Sequence, residues 1–255
     1  MRINGSLLAI GLAFAATASA AAAAPEPSIA NAVAATAARD PDNVKLDESR
    51  RPAELLGFLG LKRGMKVLDM FGLNGYWAEI AAPVVGPRGR MTVWQPAQFY
   101  TATALDKWNA GPGKLGNVQV IVSPFQAPEW PTAAYDFALI NLDYHDVYWE
   151  DAGRGLPRME PDNFVQRLHA ALKPGGVVGV VDHVAITGSE PRASVDKLHR
   201  IDPAVIRADF ERAGFRLEAD SPMLRNPADD HTLLVFDKAI RGRTDRVVLK
   251  FRKAR

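Results

Sequence analysis

The sequence predicts an α/β fold with a doubly wound, mainly parallel sheet of seven strands that ends in an antiparallel hairpin. Beyond Gly64, short apolar runs alternate with segments of helical pattern. The first five runs are almost continuously apolar, which is typical of parallel strands covered on both faces. The last two runs are joined by a segment too short for a crossover helix, so we expect them to pair antiparallel at one edge.

The elements follow from these patterns in chain order. A helix over 47–59 opens the domain, because its leucines and Phe58 form an apolar face and Gly60 can end it. Apolar runs then predict parallel strands over 66–70, 90–94, 118–122, 135–142 and 177–182. Helical patterns predict helices over 76–85, 96–110, 161–172 and 203–213. Alternating residues predict the hairpin strands over 232–236 and 246–252.

Composition excludes several classes of protein. The 255 residues include 31 Lys and Arg, 29 Asp and Glu and no Cys. The absence of Cys excludes disulfides, thiolate metal sites and a cysteine nucleophile. A net charge of +2 is too small to indicate a nucleic-acid-binding protein.

The first residues have the pattern of a targeting signal. Arg2 precedes an apolar run over 7–16, and Ala18-Ser19-Ala20 forms a small-residue cleavage motif. We therefore expect a cleavable signal peptide over 1–20 and a periplasmic or secreted protein. An Ala- and Pro-rich linker or docking arm is expected over 21–46, with a short helix after Ser28, and the α/β domain over 47–255. No apolar stretch is long enough to predict a transmembrane helix.

The turn after the first strand is the first candidate binding site. It reads Asp69-Met70-Phe71-Gly72-Leu73-Asn74-Gly75 and leads into a helix. Glycine allows a positive φ and close backbone approach, and a helix N-terminus offers free N–H groups to a ligand. Ligands of such sheets bind beyond the carboxyl ends of the strands. Two glycines in a tight turn can also be purely steric.

Several segments together resemble the class I S-adenosylmethionine-dependent methyltransferases. The resemblance covers about residues 47–255 and extends to bacterial predicted methyltransferases that carry signal peptides. It rests on the run from Leu59 to Asp69 with its glycine turn, on Tyr144-His145-Asp146, on Leu172-Lys173-Pro174-Gly175-Gly176, on Asp182-His183, and on His199-Arg200-Ile201-Asp202. It implies a Rossmann-like fold and S-adenosylmethionine as cofactor.

The resemblance also implies a set of cofactor-binding residues. Asp69, Gly72 and Gly75 would surround the methionine part. Asn74 of the same turn is also predicted to bind the cofactor, although it stands where the family has a small residue. Gln95 stands where the family places an acidic residue for the ribose hydroxyls; its neutral amide would bind more weakly.

Two more segments follow strand ends in the same way. Ser123 and Phe125 follow the third strand as adenine neighbours, and Asn141 lies at the carboxyl end of the fourth. Asn141 and Tyr144 have the Asn-x-x-Tyr spacing of methyltransferases that act on amino groups, although a strand cap and a packed ring would give the same spacing.

Three of the five histidines are expected near the carboxyl ends of strands. His145, His183 and His199 have carboxylates close by in sequence, including Asp146. A histidine with a carboxylate neighbour can take a proton from an attacking nucleophile near neutral pH. Arg200 can pair with a substrate carboxylate or with Asp202. The predicted catalytic residues are therefore Tyr144, His145, Asp146, His183, His199 and Arg200.

The sequence is also compatible with two functions other than methyl transfer. The histidines lack a compact motif such as His-Glu-x-x-His, so we assign no metal ligands, but the fold could unite them into a divalent metal site. An exported, non-catalytic metabolite-binding protein on the same fold is the other alternative. The expected partner is a small-molecule or envelope-component methyl acceptor, with no nucleic acid.

Overall fold

The computed structural model describes residues 28–254. The expected signal peptide and the first part of the expected linker lie outside the described residues. Seven strands form one sheet in the order β3-β2-β1-β4-β5-β7-β6. The strands are β1 Lys66–Met70, β2 Arg90–Pro96, β3 Val118–Ser123, β4 Tyr135–Asn141, β5 Leu172–His183, β6 Phe215–Ser221 and β7 Arg246–Lys253. The first five strands pair in parallel, and β7 pairs antiparallel with both β5 and β6. The predicted fold class is confirmed.

Helices cover the sheet and precede it. Several begin with proline in the first turn, where the missing N–H has no intrahelical partner to lose. The helices are α1 Ile29–Ala34, α2 Pro41–Val44, α3 Asp47–Arg50, α4 Pro52–Leu59, α5 Tyr76–Val85, α6 Ala102–Ala110, α7 Pro161–Ala171, α8 Pro191–Leu198 and α9 Pro203–Arg212. Across residues 28–254 we find no helix with the length and apolar character needed to cross a membrane.

Each face of the sheet has its own apolar core, because successive strand residues point to opposite faces. Leu68 and Met70 of β1 belong to a cluster that includes residues of α7 and α9. Val67, directly before Leu68 in sequence, belongs to a second cluster that includes residues of α4 and α5. Helices on both faces leave the carboxyl ends of the parallel strands as the place for a ligand.

Two predicted helices are shorter than expected. The helix predicted over 47–59 is divided into α3 and α4 at Arg51, which has a φ of 47°. Proline disfavours helical geometry in the residue before it, and Pro52 explains the break. The helix predicted from Pro96 begins at Ala102, after the N-cap Thr101, because Pro96 still pairs with Ser123 in the sheet.

The predicted hairpin has the wrong first strand. Residues 232–236 form turns, and the Phe236 side chain is 54% exposed. The partner of β7 is instead β6, which comes before this segment in sequence. Consequently β7 is not the expected edge strand, since β5 and β6 flank it on either side.

The segment from Ser28 to Leu46 packs against the domain. Ser28 caps α1 by accepting a hydrogen bond from the Asn31 amide (3.2 Å). Arg39 makes two hydrogen bonds to Asp47 (2.7 and 2.8 Å), and its side chain is only 1% exposed. Glu79 of α5 accepts hydrogen bonds from the Asp40 amide and from the Asn43 side chain (both 3.1 Å). We call residues 28–46 the N-terminal arm.

Candidate functional site

Asp69 lies at the carboxyl end of β1 with no hydrogen-bond partner for either carboxylate oxygen among the described residues. The side chain is fully buried, and this burial raises the pKa of Asp69 to about 8 even though the nearby Arg50 lowers it. Gly72 packs so closely over the carboxylate that a Cβ there would overlap it. A buried polar group without a partner is costly, which suggests that a ligand supplies the missing contact.

Arg50 faces the same end of β1 from helix α3. Its guanidinium lies over the Tyr76 ring, 4.3 Å from the ring centre. Burial lowers the pKa of Arg50, whereas Tyr76, Asp143 and Asp69 favour its charged form. The Tyr76 hydroxyl donates a hydrogen bond to Asp47 (2.8 Å), so it links α5 to the helix that carries Arg50. Sequence analysis missed Arg50, because a basic residue in a short helix has no distinguishing pattern.

The rest of the glycine turn is explained by its local structure. Asn74 is exposed, and its side chain accepts a hydrogen bond from the Tyr76 amide (3.1 Å) at the start of α5. Gly75 has a φ of 81°, and a Cβ there would overlap Pro112. Of the four predicted cofactor-binding residues in this turn, Asp69 and Gly72 therefore form the buried polar site.

The residues predicted to contact ribose and adenine already have protein partners. The Gln95 side chain accepts a hydrogen bond from the Leu73 amide (3.4 Å) and donates one to the Phe99 carbonyl (3.1 Å). Ser123 accepts a hydrogen bond from the Trp94 indole N–H (2.8 Å). Phe125 is fully buried.

An aromatic cluster fills the space beyond the ends of β1, β2 and β3. The ring centre of Phe71 lies 5.6 Å from that of Phe99 and 5.2 Å from that of Phe125. Phe71 has a φ of 57°, an unusual backbone conformation for a large side chain. The residues at this edge thus fit the methionine half of S-adenosylmethionine, whereas packed rings stand where the resemblance places its adenosine half.

A cavity of about 330 Å³ lies at the ends of β4 and β5. It brings together three of the predicted catalytic histidines, as expected from sequence. Its walls also contain aromatic side chains and Arg154. The lining residues are Phe99, Leu142, Asp143, His145, Asp146, Trp149, Arg154, His183, His199, Val235 and Phe236.

His145 is bound to Asp182 through both its ring and its backbone amide. Its Nδ1 lies 2.7 Å from Asp182 Oδ1, and its backbone amide donates to Asp182 Oδ2 (2.8 Å). Burial alone would lower the pKa of His145, but the carboxylates of Asp182 and Asp146 raise it to about 9. Without other ligands, His145 is therefore a cation at neutral pH, held in place by Asp182.

His199 has the opposite protonation preference. Burial and the positive charge of His145 lower the pKa of His199 to about 4, so its ring is neutral at pH 7. Its Nδ1 is buried, has no hydrogen-bond partner among residues 28–254, and lies 3.9 Å from Asp146 Oδ1. A neutral imidazole with a free ring nitrogen can accept a proton or bind a cation.

The other predicted catalytic residues have structural contacts. His183 Nδ1 lies 2.7 Å from the Thr244 hydroxyl, and burial holds the pKa of His183 well below its usual value. The Tyr144 hydroxyl donates to Asp209 (2.7 Å) inside the core, so Tyr144 and Asn141 do not line the cavity together. Asn141 is buried at the end of β4.

Arg200 does not pair with Asp202, which was one of the two alternatives that the sequence allowed. It is fully buried and makes two hydrogen bonds to Asp229 (2.9 and 3.0 Å). Asp202 instead accepts hydrogen bonds from the Ala204 and Gly188 amides. The partner was missed because α9 and β6 separate Asp229 from Arg200 along the chain, so only tertiary packing brings the two together.

The chain matches no protein-family model and no curated protein sequence. Solved structures have a similar fold. An S-adenosylmethionine-dependent methyltransferase from Aquifex aeolicus is 18% identical, with a TM-score of 0.57 over 87% of this chain and 97% of that one. The chain has the class I methyltransferase fold.

Other solved proteins with this fold include both a methyltransferase and a cyclase. A putative sarcosine dimethylglycine methyltransferase from Galdieria sulphuraria is 16% identical, with a TM-score of 0.58 over 84% of this chain and 88% of that one. The cyclase SpnF is 18% identical, with a TM-score of 0.57 over 81% of this chain and 80% of that one. Because the fold supports more than one reaction, function must be argued from the site.

Proposed function

We propose that this protein is an S-adenosylmethionine-dependent methyltransferase that acts on a small-molecule or envelope-component acceptor. The observation that carries the proposal is the buried, unpartnered carboxylate of Asp69 beneath Gly72 at the end of β1. Similar folds among S-adenosylmethionine-dependent methyltransferases support the same kind of activity.

Two charged residues would hold the methionine part of the cofactor. Asp69 is suited to the ammonium group, since a nearby cation would favour its ionised form and remove the cost of its burial. Arg50, in electrostatic contact with Asp69, is suited to the carboxylate group. When bound, S-adenosylmethionine supplies an electrophilic methyl group on a sulfonium.

The adjoining cavity would bind the methyl acceptor. Asp143 lines this cavity and interacts electrostatically with Arg50, so it connects the two parts of the site. Trp149 and Phe99 give the cavity apolar walls that restrict water. When no metal ion is bound to it, His199, which is neutral at pH 7, can accept a proton from the acceptor.

A second candidate function is a non-catalytic metabolite-binding protein. It is favoured by the hydrogen bonds that engage Gln95 and by the ring cluster of Phe71, Phe99 and Phe125, which stands where adenosine would bind. The signal-peptide pattern over 1–20 supports export for either function.

Calorimetric titration of the chain from Ala21 onward with S-adenosylmethionine and S-adenosylhomocysteine tests the proposal. We expect micromolar binding that weakens at least about tenfold in Asp69→Asn, because a hydrogen bond to a charged group contributes about 1.5–3 kcal/mol. Asp136→Asn is the matched control, since Asp136 lies at the opposite end of the sheet, beside Lys66 and Lys173. Absence of binding to the folded protein at millimolar ligand would contradict the cofactor assignment and favour the second candidate.

A further inference from the structure

Three side chains with metal-binding atoms converge at the cavity beyond β4 and β5. His145 Nε2 lies 3.3 Å from Asp146 Oδ1, and His199 Nδ1 lies 3.9 Å from the same oxygen. The three ligand atoms all lie within 4.8 Å of one another. Imidazole nitrogens and carboxylate oxygens bind Zn²⁺ at about 2.0–2.2 Å, so atoms that share one ion can be up to about 4.4 Å apart. The spacing therefore needs only a small adjustment to hold an ion.

We propose that His145, Asp146 and His199 form a binding site for one divalent first-row transition metal ion. Two imidazoles and a carboxylate are a donor set that suits Zn²⁺, Fe²⁺ and Co²⁺.

Asp182 orients His145 as an outer carboxylate does in many metal sites. It contacts Nδ1 of the ring at 2.7 Å, which leaves Nε2 directed at Asp146. Asp182 is itself fixed by the backbone amides of His145 and His183 (2.8 and 2.7 Å). A ligand histidine in a metal site commonly donates its other ring N–H to such a carboxylate, which fixes the ring and strengthens the ligand.

The buried ring nitrogen of His199 supports a metal site independently of the spacing of the ligand atoms. Its Nδ1 is buried without a hydrogen-bond partner among the described residues, although it lies close to Asp146. Leaving a buried polar atom unsatisfied costs about 1–3 kcal/mol. A cation between Nδ1 and the Asp146 carboxylate would satisfy both groups.

His183 lies near the proposed ligands but is not one of them. His183 is directed to the Thr244 hydroxyl (2.7 Å), and the ring centres of His145 and His183 are 5.9 Å apart. Three protein ligands leave further coordination positions of the ion free. Trp149 and Phe236 line the cavity into which these positions would open. Such positions suit water or a small ligand with a hydroxyl or carboxylate oxygen.

Titration of the metal-free chain from Ala21 onward with Co²⁺ and with Zn²⁺ tests this site. We expect one ion per chain by calorimetry, and for Co²⁺ the visible absorption bands of a site with nitrogen and oxygen ligands. His199→Gln and Asp146→Asn should abolish both signals. Asp182→Asn, which keeps the three ligands, should weaken binding about 10- to 100-fold.

His169→Gln is the matched control, because His169 is a histidine on α7 that does not line the cavity. It should bind one ion with unchanged affinity, and circular dichroism should show that every variant is folded. Absence of stoichiometric binding, or binding that persists in folded His199→Gln and Asp146→Asn, would overturn the proposal. Metal binding without S-adenosylmethionine binding would leave this site in place and reject the cofactor assignment alone.

Discussion

Asp69 should make the stability of the protein depend on pH. The carboxyl group has an ordinary pKa of 3.8 in the unfolded chain and a pKa of about 8 in the folded protein, where burial disfavours its charge. Between these values the unfolded chain releases the proton and the folded protein keeps it. The free energy of unfolding should therefore fall as pH rises from about 4 to about 8.

Asp69→Asn should remove this dependence and stabilise the protein at pH 7 by roughly 2–4 kcal/mol, because the amide has no charge to bury. Urea unfolding at pH 5, 7 and 9 would measure the difference between the variant and the natural chain. The difference should grow between pH 5 and pH 8, and a constant difference would contradict this account.

Glu218→Gln is a control of opposite sign. Hydrogen bonding to Arg252 lowers the pKa of Glu218 to about 2 from an ordinary value of 4.5. The stabilising contribution of Glu218 is present above pH 4.5 and is lost as pH falls toward 2. Its removal should therefore weaken the protein at pH 7, where removal of Asp69 strengthens it.

At the scale of residues, the sequence predicted which side chains lie at the carboxyl edge of the sheet better than it predicted their hydrogen-bond partners. Asp69 and the three histidines were identified because parallel strands end at one edge of the sheet. The partners of Arg200 and Tyr144 were not predictable, because Asp229 and Asp209 approach them only through tertiary packing. The same holds for Arg50, whose position depends on the Tyr76 ring.

At the scale of elements, the N-terminal arm helps to position Arg50. Arg39 pairs with Asp47, which belongs to the same short helix as Arg50, and it also donates to the Val33 carbonyl (3.0 Å). The arm thus links α1 and α3 to the glycine turn. A change far from Asp69 in sequence should reach the proposed cofactor site through this helix.

Arg39→Ala should loosen the arm and destabilise the protein by about 3 kcal/mol, because it leaves the Asp47 carboxylate without its buried partner. Hydrogen exchange should become faster over 32–50 and remain slow in β1. The affinity of this variant for S-adenosylmethionine should also be lower than that of the natural chain. Lys45→Ala is the control, since the exposed Lys45–Asp42 pair contributes little. Equal exchange in both variants would show that Arg39 does not hold the arm.

Element prediction succeeded where local signals were strong. The bounds of β1 and α5 agree with those predicted, because an apolar run and a glycine turn mark them. The hairpin prediction was wrong because segments 232–236 and 215–221 both contain apolar residues, so the sequence did not distinguish them. In the structure it is segment 215–221 that pairs with β7. In the first segment, the Thr232 hydroxyl and amide both bond to Asp230, which stabilises a turn.

At the scale of the whole molecule, the N-terminal pattern predicts processing. Expression of the full chain in a bacterium with an outer membrane should yield periplasmic protein that begins at Ala21, as mass spectrometry of the N-terminus would show. Replacing Leu8 and Leu12 by arginine should keep the full-length chain in the cytoplasm. An unprocessed, cytoplasmic natural chain would contradict the expectation of export.

The position of β7 affects how the chain can complete its fold. β7 spans residues 246–253 and lies between β5 and β6, so each of these two strands lacks one of its neighbours until β7 has been synthesised. Its pairs with β5 join residues about 70 positions apart, and such distant pairing is slow to form. A chain that has been synthesised only as far as β6 therefore cannot complete its sheet. Until β7 is added, such a chain remains available to a translocation channel that accepts unfolded polypeptide.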